Sequence, residues 1–227
     1  MVWKSKGDGE KRKYDFTYDA ANRLMKGDFT QYTGSTFNQT AQVNYNIKMG
    51  DGSDVTTAYD ANGNIKRMQQ WGLKINSSSS IDDLIYQYNT NSNKLLSVTE
   101  NTLGTTDNKL GDFTDKNTAN DDYSYDNNGN LVLDKNKAIS SITYNHLNLP
   151  SVITVTGKGT ITYTYDAAGI KLKKTVAETG QPTKTTLYIA GAVYEDDVLQ
   201  FMGHEEGRIR YKPLVGAVPA SLQYDYM

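Results

Sequence analysis

The chain has 227 residues, enough for one β domain or two small ones with a sizeable core. Its formal net charge is -2 and its longest basic run is Lys11-Arg12-Lys13, so we expect no nucleic-acid partner. The sequence lacks cysteine, which excludes disulfides and cysteine metal sites, and it lacks any stretch of 18 apolar residues, so we expect no membrane span.

The chain repeats one short phrase six times, which predicts a repeat protein. Each copy has alternating strand residues that end in tyrosine, then Asp or Asn, a short turn, and an apolar return strand. In chain order the pairs are Tyr18-Asp19, Tyr59-Asp60, Tyr88-Asn89, Tyr125-Asp126, Tyr144-Asn145 and Tyr165-Asp166. Three copies place glycine three residues after the Asp, at Gly63, Gly129 and Gly169. The third copy is one residue longer than the others.

Turn chemistry explains the phrase. An Asp or Asn side chain can bond its own main chain two residues on, and glycine accepts a positive φ without steric cost. We therefore predict hairpins with a positive φ at Gly129. A single hairpin is marginally stable in water, so we also predict that tyrosine rings of successive hairpins meet across strands and hold the array together.

The segments between copies are less regular. Gly34–Gln42 and Leu103–Asn120 are rich in Thr, Asn, Asp and Gly and are predicted to be surface excursions, and Ser77–Ser80 a polar loop. No segment has a clear helical period. Ile81–Ile85 is the best helical candidate, and at five residues it is at most one turn.

The phrasing changes after Thr175. Alternating segments around Gly191 and around Gly203–Gly207 predict two further hairpins, and Pro213–Pro219 is predicted to be a connection or an edge strand. The chain stops at Tyr224–Met227 in what reads as the middle of a strand, so we expect a longer parent protein. We divide the chain into a repeat sheet at 1–176 and further β-hairpins at 177–227 that continue the same sheet.

With these motifs, the segment Tyr14–Val176 resembles the YD-repeat or Rhs (rearrangement hotspot) family, whose consensus is a Tyr-Asp pair, a short turn with Gly or Asn, and an apolar residue. Asn89 and Asn145 stand where that consensus has Asp. The segment Tyr188–Tyr211 is similar to the region before the Rhs-associated core of Bacteroidetes-type members. That core's Asp-His-Leu-Gly-Asn motif, its self-cleaving aspartates and the variable effector are absent from this sequence.

The resemblance implies an all-β fold, an antiparallel repeat sheet of stacked hairpins that curves or spirals into part of a β-shell. It implies a non-enzymatic structural segment of a secreted or surface-displayed, wall-associated bacterial protein of the polymorphic-toxin type. The partner would be the rest of the parent chain, namely the Rhs core and a C-terminal toxin or effector. The first residues carry no signal peptide, so the secreted or cell-surface location comes from the resemblance.

Several sharper interpretations compete with this one. The spacing Asp-x-Asn-x-Asn at Asp60 and Asp126 suggests calcium, but an EF-hand loop needs Gly at position six and Glu at twelve, and both copies lack them. The cluster His204-Glu205-Glu206 lies between two glycines and favours a polar turn. Because adjacent strand residues point to opposite faces, neither Asp121-Asp122 nor Asp196-Asp197 forms a catalytic pair. We predict no catalytic residue, no metal and no cofactor.

Two predictions concern binding. Exposed aromatic rings stack on sugars, so the alternative function is a carbohydrate- or cell-surface-binding module, which three or more exposed, coplanar Tyr or Trp rings would favour. A wall segment would also carry unpaired strand edges, from which we expect edge-to-edge self-association.

Overall fold

The computed structural model describes residues 1–39, 43–74, 77–101 and 113–226, and its described part is almost entirely β. The prediction of an all-β fold built from antiparallel hairpins is confirmed. The chain separates into two compact units, 1–123 and 124–227, each with its own antiparallel sheet. Of the described residues, no helix is long and apolar enough to cross a membrane.

The elements of the first unit are β1 (Val2–Lys4), β2 (Lys11–Tyr18), β3 (Leu24–Tyr32), β4 (Phe37–Asn38), β5 (Ile47–Met49), α1 (Val55–Ala58), β6 (Arg67–Lys74), β7 (Ser77–Tyr88) and β8 (Leu95–Glu100). The strands form an open sheet in the order β1-β2-β3-β5-β6-β7-β8, with β4 also paired to β3.

The second unit holds an open meander in which each strand pairs with the next along the chain. Its elements are β9 (Tyr123–Tyr125), β10 (Leu131–Asp134), β11 (Ile139–Tyr144), β12 (Pro150–Val155), β13 (Gly159–Tyr165), β14 (Lys171–Glu178), β15 (Lys184–Ile189), β16 (Ala192–Glu195), β17 (Val198–His204), β18 (Gly207–Lys212) and β19 (Ser221–Tyr226). Because β14 pairs with β15, the segments predicted at 1–176 and 177–227 meet within one sheet, whereas the compact units divide at 123/124.

The core of the first unit lies where one helical turn covers the sheet. Met25, Met49, Ala58 and Tyr59 are buried together there. The turn α1 begins after Asp54, whose side chain accepts a hydrogen bond from the backbone N–H of Thr56, the usual way of satisfying a free helical N–H.

The predictions for Ser77–Ser80 and Ile81–Ile85 are wrong, because both segments belong to β7. Ser77–Ser80 pairs with Trp71–Lys74, so the serine backbone is held by the neighbouring strand. Ile81–Ile85 lacks the polar–apolar alternation of a half-exposed strand because Ile81, Asp82, Asp83 and Leu84 are all buried.

The predicted excursions are described only in part. Within Gly34–Gln42 the residues Phe37–Asn38 form β4 against β3, while 40–42 lie outside the described residues. Of Leu103–Asn120, 103–112 lie outside them, and 113–120 carry no strand or helix.

The two hairpins predicted after Thr175 are confirmed as β15–β16 and β17–β18. The first turns at Ala190-Gly191, and β16 turns into β17 at Asp196-Asp197. All four of these residues have positive φ, as two-residue type I′ turns require. In the Pro213–Pro219 segment Val215 bridges Val218, so it is a connection, and the edge strand is β19.

Candidate functional site

The six repeat phrases form chain-reversing corners, three in each compact unit. Five leading strands, β2, β7, β9, β11 and β13, end at the motif tyrosine. In the second copy that strand is reduced to an isolated bridge between Tyr59 and Ile65 after the helical turn. The return strands pair back at once, as Tyr18 with Leu24 and Tyr144 with Pro150.

The corner at Asp126 closes with four hydrogen bonds. The N–H of Asp126 donates to the carbonyl of Asn130 at 2.9 Å, and the N–H of Gly129 donates to the carbonyl of Asp126 at 3.1 Å. Asp126 Oδ1 accepts the backbone N–H groups of Asn128 at 2.9 Å and Asn130 at 2.8 Å. The equivalent four bonds, all between 2.8 and 3.1 Å, occur at Asp19, Asp60, Asn145 and Asp166.

The third residue after the acid or amide always has a left-handed backbone in these five corners. Glycine occupies it at Gly63, Gly129 and Gly169, with φ of 86°, 87° and 85°. Asparagine occupies it at Asn22 and Asn148, with φ of 60° and 57°. The predicted positive φ of Gly129 is confirmed, and Asn is the natural substitute because it tolerates this region.

The longer third corner uses its amide differently. The Asn89 N–H and its side-chain Nδ2 both donate to the carbonyl of Lys94, at 2.9 and 3.2 Å. The left-handed residue here is Asn91, with a φ of 56°. Asn145 thus reproduces the Asp geometry, whereas Asn89 closes a wider turn as a donor.

In the corners at Asp60 and Asp126 the second carboxylate oxygen is also engaged. Asp60 Oδ2 accepts the Asn64 amide at 2.8 Å, and Asp126 Oδ2 accepts the Asn130 amide at 2.9 Å. These amides, followed by the backbone N–H groups, hold the pKa of both carboxyls below the usual value. The turn chemistry therefore occupies the oxygens that a calcium ion would need, and among the described residues no group of three or more His, Asp or Glu side chains could hold a metal.

Successive repeats are joined by tyrosine hydroxyls. In each case the hydroxyl of a motif tyrosine donates a hydrogen bond to the previous repeat. The acceptor is the first residue of that repeat's return strand or bridge, which lies six residues after that repeat's own motif tyrosine. The bonds are Tyr59 to Leu24 at 2.6 Å, Tyr88 to Ile65 at 2.9 Å, Tyr144 to Leu131 at 2.7 Å and Tyr165 to Pro150 at 3.0 Å, each to the backbone carbonyl. Burial raises the pKa of Tyr59, Tyr144 and Tyr165, which keeps these donors protonated.

In two pairs of successive repeats this arrangement differs from the predicted contact between rings. Among the described residues, no ring contact joins Tyr18 to Tyr59 or Tyr144 to Tyr165. Tyr163–Tyr165, at 6.3 Å, lies within one strand. Equivalent strands of neighbouring hairpins are separated by the return strand, about 9.5 Å in all. The side chain of the later tyrosine reaches that return strand, and the hydrogen bond of its hydroxyl makes the connection.

Asparagine amides make a second connection in two places. The Nδ2 groups of Asn128 and Asn130 both donate to Asn148 Oδ1 in the next corner, at 3.0 and 3.1 Å. In the first unit Asn62 and Asn64 both donate to Asn93 Oδ1 at 2.9 Å. Sequence reasoning missed these bonds, although their signal, Asn-x-Asn after the Asp, is the spacing that suggested calcium.

The other acidic and histidine candidates have structural roles. The fully buried Asp122 accepts the Val98 N–H at 2.8 Å and the Asn117 amide at 2.9 Å. Asp196 Oδ1 accepts the Thr185 N–H at 2.7 Å. His204 Nδ1 accepts the Glu206 N–H at 3.3 Å within its turn.

Three aromatic residues of β1 and β2, namely Trp3, Tyr14 and Phe16, lie in a row, and such a row is where a sugar-binding surface would be expected. Trp3 stacks on Tyr14, with centroids 5.7 Å apart and planes 18° apart, and Tyr14 stacks on Phe16 at 5.2 Å and 16°. These rings face one another and therefore do not present the coplanar platform on which a sugar ring would stack.

The fold and the corners together define an all-β repeat protein whose successive antiparallel hairpins are joined by hydrogen bonds from the motif tyrosines. No family model matches the chain, and a comparison with curated proteins gives no match.

Proposed function

We propose that this chain is a non-enzymatic structural segment of a β-shell in a secreted or surface-displayed Rhs-type bacterial protein, where it encloses or presents a C-terminal toxin or effector. The observation that carries the proposal is the backward hydrogen bond from each of four motif tyrosines to the preceding repeat. Such a bond serves assembly of an extended sheet and has no evident use in catalysis.

The acceptor is always a backbone carbonyl, so the connection does not depend on the side chain it reaches. Leucine, isoleucine and proline all serve as acceptor residues. A β-shell joined in this way can be lengthened by further repeats while the side chains on both faces of the sheet differ from repeat to repeat. A shell that encloses another domain needs this property.

The second sheet supports a role within a larger assembly because it buries little of its own surface. Ile142 and Ala192 are the buried apolar residues of its described part. Ile170, Ile189 and Leu222 are more than half exposed. Apolar side chains displayed on an open sheet are typical of a surface that meets further protein.

The decisive experiment uses the parent gene and the parent protein. We expect the residues after Met227 to contain an Asp-His-Leu-Gly-Asn core followed by a variable tail. In limited proteolysis of the parent protein, that tail should be protected, and a parent with Tyr144→Phe and Tyr165→Phe should lose protection sooner. A parent with no downstream domain, or a tail cleaved as fast as an unfolded peptide, would refute the proposal.

A further inference from the structure

A groove of about 380 Å³ lies on one face of the second sheet, away from the corners. The pairings of Lys174 with Thr186 and of Thr186 with Glu195 place these three side chains side by side on that face. Across the groove, Arg208 and Arg210 of β18 complete the lining.

One carboxylate orients both arginines. Asp225 accepts Arg208 Nε at 3.1 Å, and Arg210 Nε and Nη2 at 3.0 and 2.7 Å. The Arg208 guanidinium also lies over the Phe201 ring, 5.6 Å from its centroid. The two guanidiniums hold the pKa of Asp225 below its usual value, Arg210 contributing most, so the cluster keeps its charges. It carries one excess positive charge and several unused N–H donors.

Lys174 adds a further positive charge. It is half-buried and lines the groove, yet within the described residues it has no hydrogen-bond or ion-pair partner. The acid nearest in the pairing order, Glu195, already binds Lys184 at 2.8 Å. A positive charge without a partner among the described residues favours an anionic ligand, because an opposite charge is attracted to it.

We propose that this groove binds an acidic oligosaccharide, with one of its carboxylate or sulfate groups at Lys174 and another at Arg208, since these residues lie four strands apart across the groove. The open shape and the polar Thr186, Gln200 and Glu195 suit a ligand with many hydroxyl groups. The site is independent of the proposed wall function, because it uses none of the corner residues.

The test is a calorimetric titration of the whole chain with tetragalacturonate, a neutral galactose tetramer and inorganic phosphate. We expect tetragalacturonate alone to bind, and more weakly as salt is added. Lys174→Gln should weaken its binding about tenfold, the loss of one charged contact. Lys173→Gln is the matched control, because Lys173 is exposed on the opposite face of the same strand and should leave binding unchanged.

Because Lys174 has no partner in the part of the chain that the structure describes, its substitution should leave the circular dichroism spectrum unchanged, and any loss of binding then belongs to the groove. Absence of binding by tetragalacturonate, equal binding of the neutral tetramer, or an unaltered affinity in Lys174→Gln would each overturn the proposal. Phosphate binding as tight as that of tetragalacturonate would show an oxyanion site without saccharide selectivity and would overturn it as well.

Discussion

The hydroxyl of Tyr144 donates a 2.7 Å hydrogen bond to the carbonyl oxygen of Leu131, the first residue of the preceding return strand. The same relationship recurs between Tyr165 and Pro150. It explains why the repeat uses tyrosine at this position, since phenylalanine would supply the ring without the donor.

Tyr144→Phe should therefore lower the free energy of unfolding by about 0.5–1.5 kcal/mol, the usual net contribution of one hydrogen bond. Urea unfolding monitored by circular dichroism measures it. Tyr163→Phe is the matched control, because the Tyr163 hydroxyl has no hydrogen-bond partner in the described chain and its ring is half-buried. Equal losses in both variants would show that the hydroxyl bond contributes nothing.

The corner carboxylates predict a pH dependence. The pKa of Asp126 is lowered in the folded protein, first by the Asn130 amide and then by backbone N–H groups. A carboxyl with a lowered folded pKa contributes stability above its unfolded pKa of about 3.9, and that contribution is lost as the pH falls through the folded pKa.

Asp126→Ala should consequently reduce the melting temperature more at neutral pH than in acid. The comparison is Asn145→Ala, which removes the same two backbone hydrogen bonds from a side chain that does not titrate. The decrease in melting temperature caused by Asn145→Ala should be similar at neutral and acid pH. A pH-independent effect of Asp126→Ala would contradict the role assigned to the charge.

Gly129→Val should destabilise the protein by about 1–2 kcal/mol, because a β-branched residue is strained in left-handed backbone. The φ of 87° at Gly129 is the cause. Gly129→Asn should cost less, since Asn148 already holds the equivalent position in the next corner. Thermal unfolding of the two variants decides the matter, and an unchanged melting temperature in Gly129→Val would be inconsistent with it.

Asn148→Gly isolates the connection between corners, since glycine keeps the backbone geometry and removes the acceptor of the Asn128 and Asn130 amides. We expect a loss of about 0.5–1 kcal/mol in urea unfolding. Asn22→Gly makes the same exchange at a corner where the side chain has no hydrogen bond in the described chain. If Asn148→Gly lowered the free energy of unfolding no more than Asn22→Gly does, the amide hydrogen bonds between corners would contribute nothing to stability.

Edge-to-edge association remains a prediction, and β19 is the strand to test. It forms one edge of the second sheet and displays Leu222, which is 55% exposed. Light scattering at rising concentration should show association that Leu222→Lys suppresses, because charge on an edge opposes strand pairing. Ile170→Lys, at an exposed position outside the edge strand, should not suppress it.

Local information was enough to predict the corners. The polar–apolar alternation that ends at Tyr144 and the turn residues after it specify where the chain reverses. Glycine at position 129 likewise predicts the positive φ found there. The acceptor of each tyrosine hydroxyl could not be predicted, because Leu131 becomes a neighbour of Tyr144 only once the register between repeats is known.

The prediction for the segment around Asp82 and Asp83 was wrong for a related reason. Its burial on both faces depends on distant partners, as the Phe113 N–H on Asp82 at 2.8 Å and the bidentate Arg67 on Asp83 at 2.7 Å show. Without those partners in view, two acids between apolar residues resemble a helical turn more than a buried strand.

The spacing of motif tyrosines, from 19 residues up to 41, has a practical consequence. In the sequence the extra residues lie between the start of a return strand and the next motif tyrosine, and in the second sheet the tight turn 156–158, which joins β12 to β13, lies in that interval. Among the six copies the length varies after the return strand, whereas the corners differ by one residue at most. Peptides grafted into 156–158 should therefore be displayed without disturbing either the tyrosine or the asparagine bonds, which makes this end the natural place for tags, epitopes or acquired loops.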